Sequence, residues 1–222
     1  MKTSFEYVNE ATIDELEKAK TRAWLDKMNI KNYTINKDGT VDVKRSVDII
    51  GKGLTEIPVK FNKVGGDFYC DNNKLTSLEG APKEVGGDFY CHKNKLTSLE
   101  GAPKEVGGGF YCYNNELTSL RGAPEKVGGG FYCDNNKLTS LEGAPKEVGG
   151  SFWCNNNKLT SLEGAPEIVS GNFHCQNNDL TSLDGAPQTV SGNFHCHNNK
   201  VQFTEEDVRK VSNVNVKGII SI

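Results

Sequence analysis

The sequence predicts a solenoid of short parallel strands, and three observations predict it. Seven cysteines stand at Cys70, Cys91, Cys112, Cys133, Cys154, Cys175 and Cys196, each 21 residues after the last. A fixed period of about 20 to 50 residues marks a stacked array, in which each unit buries its apolar side against the next. Within every unit phenylalanine alternates with cysteine, as in Phe68-Tyr69-Cys70, so one face of a short strand is turned to a core and the other is not. Gly-Ala-Pro then recurs, as at Gly80, Ala81 and Pro82. It disfavours a helix on the return path, because glycine is conformationally loose and proline holds its predecessor extended.

The elements follow in chain order. Thr12 followed by Glu15 has the capping-box pattern and predicts a helix to about Met28, with Ile13, Leu16, Ala19, Ala23 and Trp24 available to cover the first rung. Tyr33 to Ile35 and Val41 to Val43, on either side of Asp38-Gly39, predict a hairpin that completes an N-terminal cap over residues 1–42. Residues 43–63 read as a degenerate first repeat: Val47, Ile49, Leu54 and Ile57 fall 21 positions before Phe68, Cys70, Leu75 and Leu78, with Lys52 in the place of an asparagine. Residues 64–203 hold seven 21-residue repeats, beginning at Val64, Val85, Val106, Val127, Val148, Val169 and Val190. Asn73, Asn94, Asn115, Asn136, Asn157, Asn178 and Asn199 stand where the chain leaves the strand, and their amides are expected to bond the turning backbone in an asparagine ladder. Thr204 with Asp207 predicts a short helix and Val214 to Ile222 a closing strand, so 204–222 is a C-terminal cap. Both ends of the stack are thereby shielded from unwanted pairing.

The repeated phrase Phe-x-Cys-x-x-Asn-x-Leu-x-x-Leu, as Phe68, Cys70, Asn73, Leu75 and Leu78, resembles the leucine-rich repeat, with Phe and Cys in its two strand leucine positions. Gly-Gly-Asp before the phenylalanine is one residue longer than the usual spacer. Leu-Thr-Ser-Leu followed by a proline-bearing turn is similar to the short bacterial type found in secreted ubiquitin-ligase effectors, although a ligase activity is not expected from these residues. The segments Trp24 to Ile30, Leu54 to Pro58 and Phe203 to Val208 make the whole chain similar to small leucine-rich-repeat proteins of large tailed phages. The resemblance implies a curved right-handed leucine-rich-repeat solenoid with short parallel strands on a concave sheet and an extended or turn-like convex side. It also implies work in a bacterial host's cytoplasm on a host or defence factor.

Composition narrows the function classes. Lys and Arg total 26 against 29 for Asp and Glu, so no basic field gathers phosphate backbones and nucleic acid is not the expected partner. The N-terminus lacks the apolar run of a signal peptide, and no stretch approaches the roughly 20 apolar residues of a membrane span, so a cytoplasmic protein is expected. An odd cysteine count disfavours a disulfide framework. Stacked Cβ atoms about 4.8 Å apart are also wider than the ~3.8 Å a disulfide wants, and a straight row of sulfurs cannot converge on zinc. The thiols therefore read as small buried hydrophobes, and neither metal nor cofactor is expected. No catalytic constellation is visible: every cysteine belongs to the buried column, and Gly-Gly recurs as punctuation rather than as a phosphate loop.

Because strand side chains alternate faces, the residue between Phe and Cys must point outward. That column is Tyr69, Tyr90, Tyr111, Tyr132, Trp153, His174 and His195, spread over about 29 Å at ~4.8 Å per rung. Asp67, Asp88, Gly109, Gly130, Ser151, Asn172 and Asn193 flank it on one side, and Asp71, His92, Tyr113, Asp134, Asn155, Gln176 and His197 on the other. A constant framework with varying outer columns predicts a binding face made by the aromatic column with Tyr113 and His197. A protein partner is expected, because aromatic side chains bury large area with few rotors and keep a polar tip. Carbohydrate stacked on the rings, aided by Asp71, Asp134, Asn155 and Gln176, is the alternative, as is self-association of an otherwise monomeric chain. Single-stranded nucleic acid is disfavoured by Asp67, Asp71, Asp88 and Asp134 against Lys93 alone. His174, His195 and His197 invite a zinc or pH-sensing reading, against which stands the simpler one of exposed polar residues near the end of the array. The columns of Lys74 and Glu79 read as a solvated rim, with Glu116 and Arg121 inverting the signs together and Asp179 with Asp184 breaking that rule.

Overall fold

The fold is given by a computed structural model that describes residues 4–211 and 215–222, with side chains from Asp14 onward. Helix α1 (Ser4–Lys27) leads into an antiparallel hairpin, β1 (Tyr33–Ile35) and β2 (Val41–Val43). From there each turn contributes two short strands. The chain runs β3 (Val47–Asp48), β4 (Phe61–Val64), β5 (Phe68–Tyr69), β6 (Glu84–Val85), β7 (Phe89–Tyr90), β8 (Glu105–Val106), β9 (Phe110–Tyr111), β10 (Lys126–Val127) and β11 (Phe131–Tyr132). It continues through β12 (Glu147–Val148), β13 (Phe152–Trp153), β14 (Ile168–Val169), β15 (Phe173–His174), β16 (Thr189–Val190) and β17 (Phe194–His195), then α2 (Glu205–Lys210), β18 (Asn215–Val216) and β19 (Ile220–Ser221).

Two sheets result. Ten strands, β1, β2 and the even-numbered ones to β18, form the first; the nine odd-numbered strands from β3 to β19 form the second. Apart from the β1–β2 hairpin every pairing is parallel, and identical positions pair across rungs, Val85 with Val106 and Phe89 with Phe110. The molecule is thus a parallel β-solenoid of about seven turns. The Phe-x-Cys alternation anticipates the second sheet and the predicted hairpin supplies the first two strands of the first, but from β6 to β16 each strand of the first sheet is a two-residue segment too short to show a period.

Gly-Gly turns the chain from one sheet to the other without interrupting the ladder: the Gly86 N–H bonds the Val64 carbonyl at 2.9 Å and the Gly87 N–H bonds that of Gly66 at 3.0 Å. Successive corners nest at backbone spacing, so a Cβ on Gly129 would stand 2.8 Å from the Gly108 carbonyl carbon. On the opposite side, Gly80 and its equivalents adopt a left-handed φ, 89° at Gly80 and 93° at Gly143.

The core is one column per apolar position. Phe68 through Phe194 are fully buried, with neighbouring ring centroids 5.1 to 5.7 Å apart, and the seven thiols are free and buried beside them. Leu75, Leu78 and the equivalent leucines as far as Leu183 complete it at 0–3 % exposure, whereas in the last repeat Val201 stands in the Leu75 position and is 41 % exposed. Each asparagine binds two rungs. Asn94 accepts the Leu75 N–H at 3.0 Å and donates to the carbonyls of Cys70 and Cys91 at 3.0 and 3.1 Å. Every amide thus serves the rung before it, so the first rung functions with Lys52 in the asparagine position: Asn73 accepts from Leu54 and donates to Ile49.

Two expectations about the caps and rim are corrected. Helix α1 begins at Ser4, which places Thr12 inside it, so Thr12 and Glu15 do not cap its start; the Thr12 and Ile13 side chains lie outside the described residues. Of the expected covering face, Leu16 is 55 % exposed and Ala19 and Ala23 are exposed. Among the described residues it is the last turn and the segment after it that cover the stack, through buried Leu25 and Ile30 and through Trp24, whose ring meets Phe61 edge-on at 6.4 Å. The rim charges pair between rungs rather than within them: Glu100 with Arg121 at 2.8 Å, Glu116 with Lys137 at 3.0 Å, Asp179 with Lys200 at 3.4 Å. A sign change in a column is therefore matched by its vertical neighbour. At the far end Thr204 and Asp207 bond reciprocally as a capping box for α2, and β18 and β19 add one strand to each sheet; Val214 lies outside the described residues.

Candidate binding face

Pleating of the second sheet turns Phe and Cys inward and leaves Tyr69, Tyr90, Tyr111, Tyr132, Trp153, His174 and His195 half-exposed in one continuous column. The rings stack on each other. Centroids lie 4.8 Å apart for Tyr69 and Tyr90, 4.5 Å for Tyr90 and Tyr111, and 4.6 Å for Tyr111 and Tyr132, with planes within 8°. His174 and His195 stack likewise at 4.4 Å. Between these two runs Trp153 is turned, 52° from Tyr132 at 5.8 Å and 40° from His174 at 4.3 Å. Ring faces in the parallel runs are therefore occupied by neighbouring rings, and what the column offers outward is ring edges and polar tips.

The column beginning at Asp67 serves the backbone more than the solvent. Asp67 Oδ1 accepts the Asp88 N–H at 2.8 Å and Asp88 Oδ1 accepts that of Gly109 at 2.6 Å; further along, Ser151, Asn172 and Asn193 accept from Asn172, Asn193 and Ile219. This is a second polar ladder, unexpected from the sequence although small acceptors recur at the period. The carboxylates also take phenolic hydroxyls, Tyr69 to Asp67 at 2.9 Å and Tyr90 to Asp88 at 2.8 Å. Where the ladder holds glycine the phenols lean over the gap: a Cβ on Gly109 would stand 2.9 Å from the Tyr111 hydroxyl, and one on Gly130 2.7 Å from that of Tyr132. The Asp67 hydrogen bond raises the Tyr69 phenol pKa, and burial raises those of Tyr90, Tyr111 and Tyr113.

On the other flank His92 stacks on Tyr113 at 4.3 Å and its Nε2 lies 3.6 Å from Asp71. Asp71, Asp134 and Asn155 are 5 to 8 % exposed, so the reading of these three as freely outward hydrogen-bonding groups is corrected: neighbouring rungs cover them. Burial raises the Asp134 carboxyl pKa. It lowers the imidazole of His174 to about 4, with the His195 charge adding to the effect, and lowers those of His195 and His92 as well. Stacked imidazoles aim their nitrogens side by side rather than at one point, and among the described residues no three His, Cys, Asp or Glu side chains are placed to hold a metal ion. Burial raises every cysteine pKa, that of Cys196 to about 11 and the others further. Among the described residues no helix is long and apolar enough to cross a membrane.

Fold and face together define a repeat protein with one ordered aromatic wall. Compared with protein-family models, with curated proteins and with solved structures, the chain gives no significant match.

Proposed function

We propose that the protein is a non-enzymatic recognition scaffold that docks a partner protein on the outer face of its second sheet. One observation carries this reading: a half-exposed aromatic column crosses seven successive rungs on a frame of parallel hydrogen-bonded strands. Rings locked by stacking lose little further rotamer freedom on contact, and preorganised aromatic edges with hydroxyl tips suit a protein surface. The same stacking counts against carbohydrate, which needs open ring faces. The finer assignment, a leucine-rich-repeat protein of the short bacterial and tailed-phage type with this sheet as its concave wall, acting on a host factor in bacterial cytoplasm, belongs to the same proposal. The asparagine column that joins rungs supports it.

Tyr69, Tyr90, Tyr111, Tyr113, Tyr132, Trp153, His174, His195 and His197 are the proposed contact residues, with Tyr90 and Tyr111 near one end of the wall and Trp153 beyond its middle. Affinity capture from a bacterial host lysate, followed by mass spectrometry, tests the reading: Tyr90→Ala with Tyr111→Ala should lose a partner that the unaltered protein retains. Retention of the same partner by the doubly substituted protein would remove this face from consideration. Solution mass separates the self-association alternative, for which a symmetric oligomer is expected.

A further inference from the structure

Five buried side-chain polar atoms in the described residues lack a hydrogen bond of good geometry, and all five sit on the aromatic wall: His92 Nδ1, Asn155 Oδ1, both nitrogens of His174, and Gln176 Oε1. Gln176 and His174 stand close enough to bond each other, which leaves Asn155 Oδ1 as the unpartnered amide oxygen. Three of those residues are neighbours. Trp153 pairs with His174 across rungs, and the backbone ladder from Asn135 to Asn155 and from Asn156 to Gln176 keeps Asp134, Asn155 and Gln176 consecutive in the adjoining column. Asn155 is only 7 % exposed, so its orphaned oxygen departs from the satisfaction that buried amides normally reach. Beside it Asp134, 8 % exposed, accepts the Asn135 amide at 2.6 Å.

The ring stack breaks at the same place. Trp153 is tilted from both neighbours, and its 5.8 Å distance to Tyr132 is the widest step in the column, so part of an indole face is uncovered where the other rings are covered. A carboxylate, the unpartnered Asn155 oxygen, the Gln176 oxygen beside a neutral imidazole and a tilted indole are complementary to one chemistry. That chemistry is a flat or compact cation rich in donors. Gln176 is half-exposed, so its side chain can turn to admit it.

We propose that Asp134, Trp153, Asn155 and Gln176 form a site for the guanidinium or ammonium group of an arginine or lysine side chain on a partner protein. The proposal rests on the reading of this wall as the docking face and names what that face recognises. The cation lies over the indole, takes the Asp134 carboxylate as counter-charge and donates to Asn155 Oδ1 and Gln176 Oε1.

The test is a titration with acetyl-Gly-Arg-Gly-amide, followed by NMR at the Trp153 indole N–H and the Asn155 and Gln176 side-chain amides. The citrulline peptide, a neutral isostere, is the control. Saturable shifts with arginine alone are expected, weakened by salt and about tenfold by Asp134→Asn, which should fold because Asn155 occupies the next position of that column. Asn155→Asp should tighten binding several-fold. Equal shifts with citrulline, no saturable shift at tens of millimolar, or affinity indifferent to both substitutions would overturn the site. The titration uses the purified protein and the peptide alone, so failure of the wider docking reading in the capture experiment is seen separately.

Discussion

A thiol at 0 % exposure, such as Cys112, whose Sγ–H points at the Tyr132 carbonyl 3.3 Å away, has neither the solvent access nor the thiolate population that reactivity requires. The folded protein should therefore be silent to a thiol-titrating reagent on the minute timescale, with seven thiols appearing in denaturant. Cys196, with the least-raised pKa and a place on the last full rung, should react first. Backbone strain gives a second residue-scale prediction. Lys93 holds a φ of 52° where six other units place asparagine at 53–56°. Asparagine tolerates that region better, so Lys93→Asn should raise stability by about 0.5 kcal/mol, read from the urea midpoint. His174 supplies a third. Its folded-state pKa, about 4, lies below the ordinary 6.5, so the unfolded chain takes up the proton first as pH falls. Stability is complete above about pH 6.5 and declines toward pH 4; allowing for solvent screening of this half-exposed ring, the loss is about 1 kcal/mol. His174→Tyr, which restores the residue found in four other rungs, should flatten that part of the pH profile.

The asparagine column adds side-chain bonds to the backbone ladder between rungs whose strands, from β5 to β17, are only two residues long. Asn115 accepts the Leu96 N–H at 3.1 Å and donates to the Cys91 and Cys112 carbonyls at 3.0 Å each. Asn115→Ala leaves all three buried groups without that partner, and the expected cost is about 3 kcal/mol by chemical denaturation. Asn199→Ala, at the end of the array, should cost clearly less. These asparagines, the inward Phe and Cys and the outward aromatic column were legible in the sequence because a 21-residue period repeats each environment seven times. The rest was hidden for definable reasons. Glu84–Val85 is too short to announce a strand. The helix α1 has too few apolar residues to mark where it starts. The acceptor role of Asp67, Asp88, Ser151, Asn172 and Asn193 depends on the N–H one rung away, a neighbour that linear spacing does not suggest. The same holds for the pairs Glu100–Arg121 and Glu116–Lys137, and for Asp134 and Asn155, which look like surface groups until the rungs above and below close over them.

For the whole molecule, parallel stacking in strict register means that each rung interacts with its two neighbours and little else, so stability should behave as a sum of rungs and interfaces. Removing residues 133–153 joins Phe131-Tyr132 directly to Cys154 and restores the repeat phrase, and the shortened chain is expected to fold cooperatively with a modestly lower melting temperature. Removing only 133–152 instead places Trp153 directly after Tyr132, in the position that should hold the inward cysteine. In a strand whose faces alternate every residue, that single addition drives an indole toward the Phe and Cys columns and pushes Cys154 outward. The 20-residue deletion should accordingly be much the less stable, though it loses less of the chain. Circular dichroism melts of the two deletions decide the point: equal stability would mean that rungs tolerate slippage, and that the aromatic wall is not held in place by the stack as described.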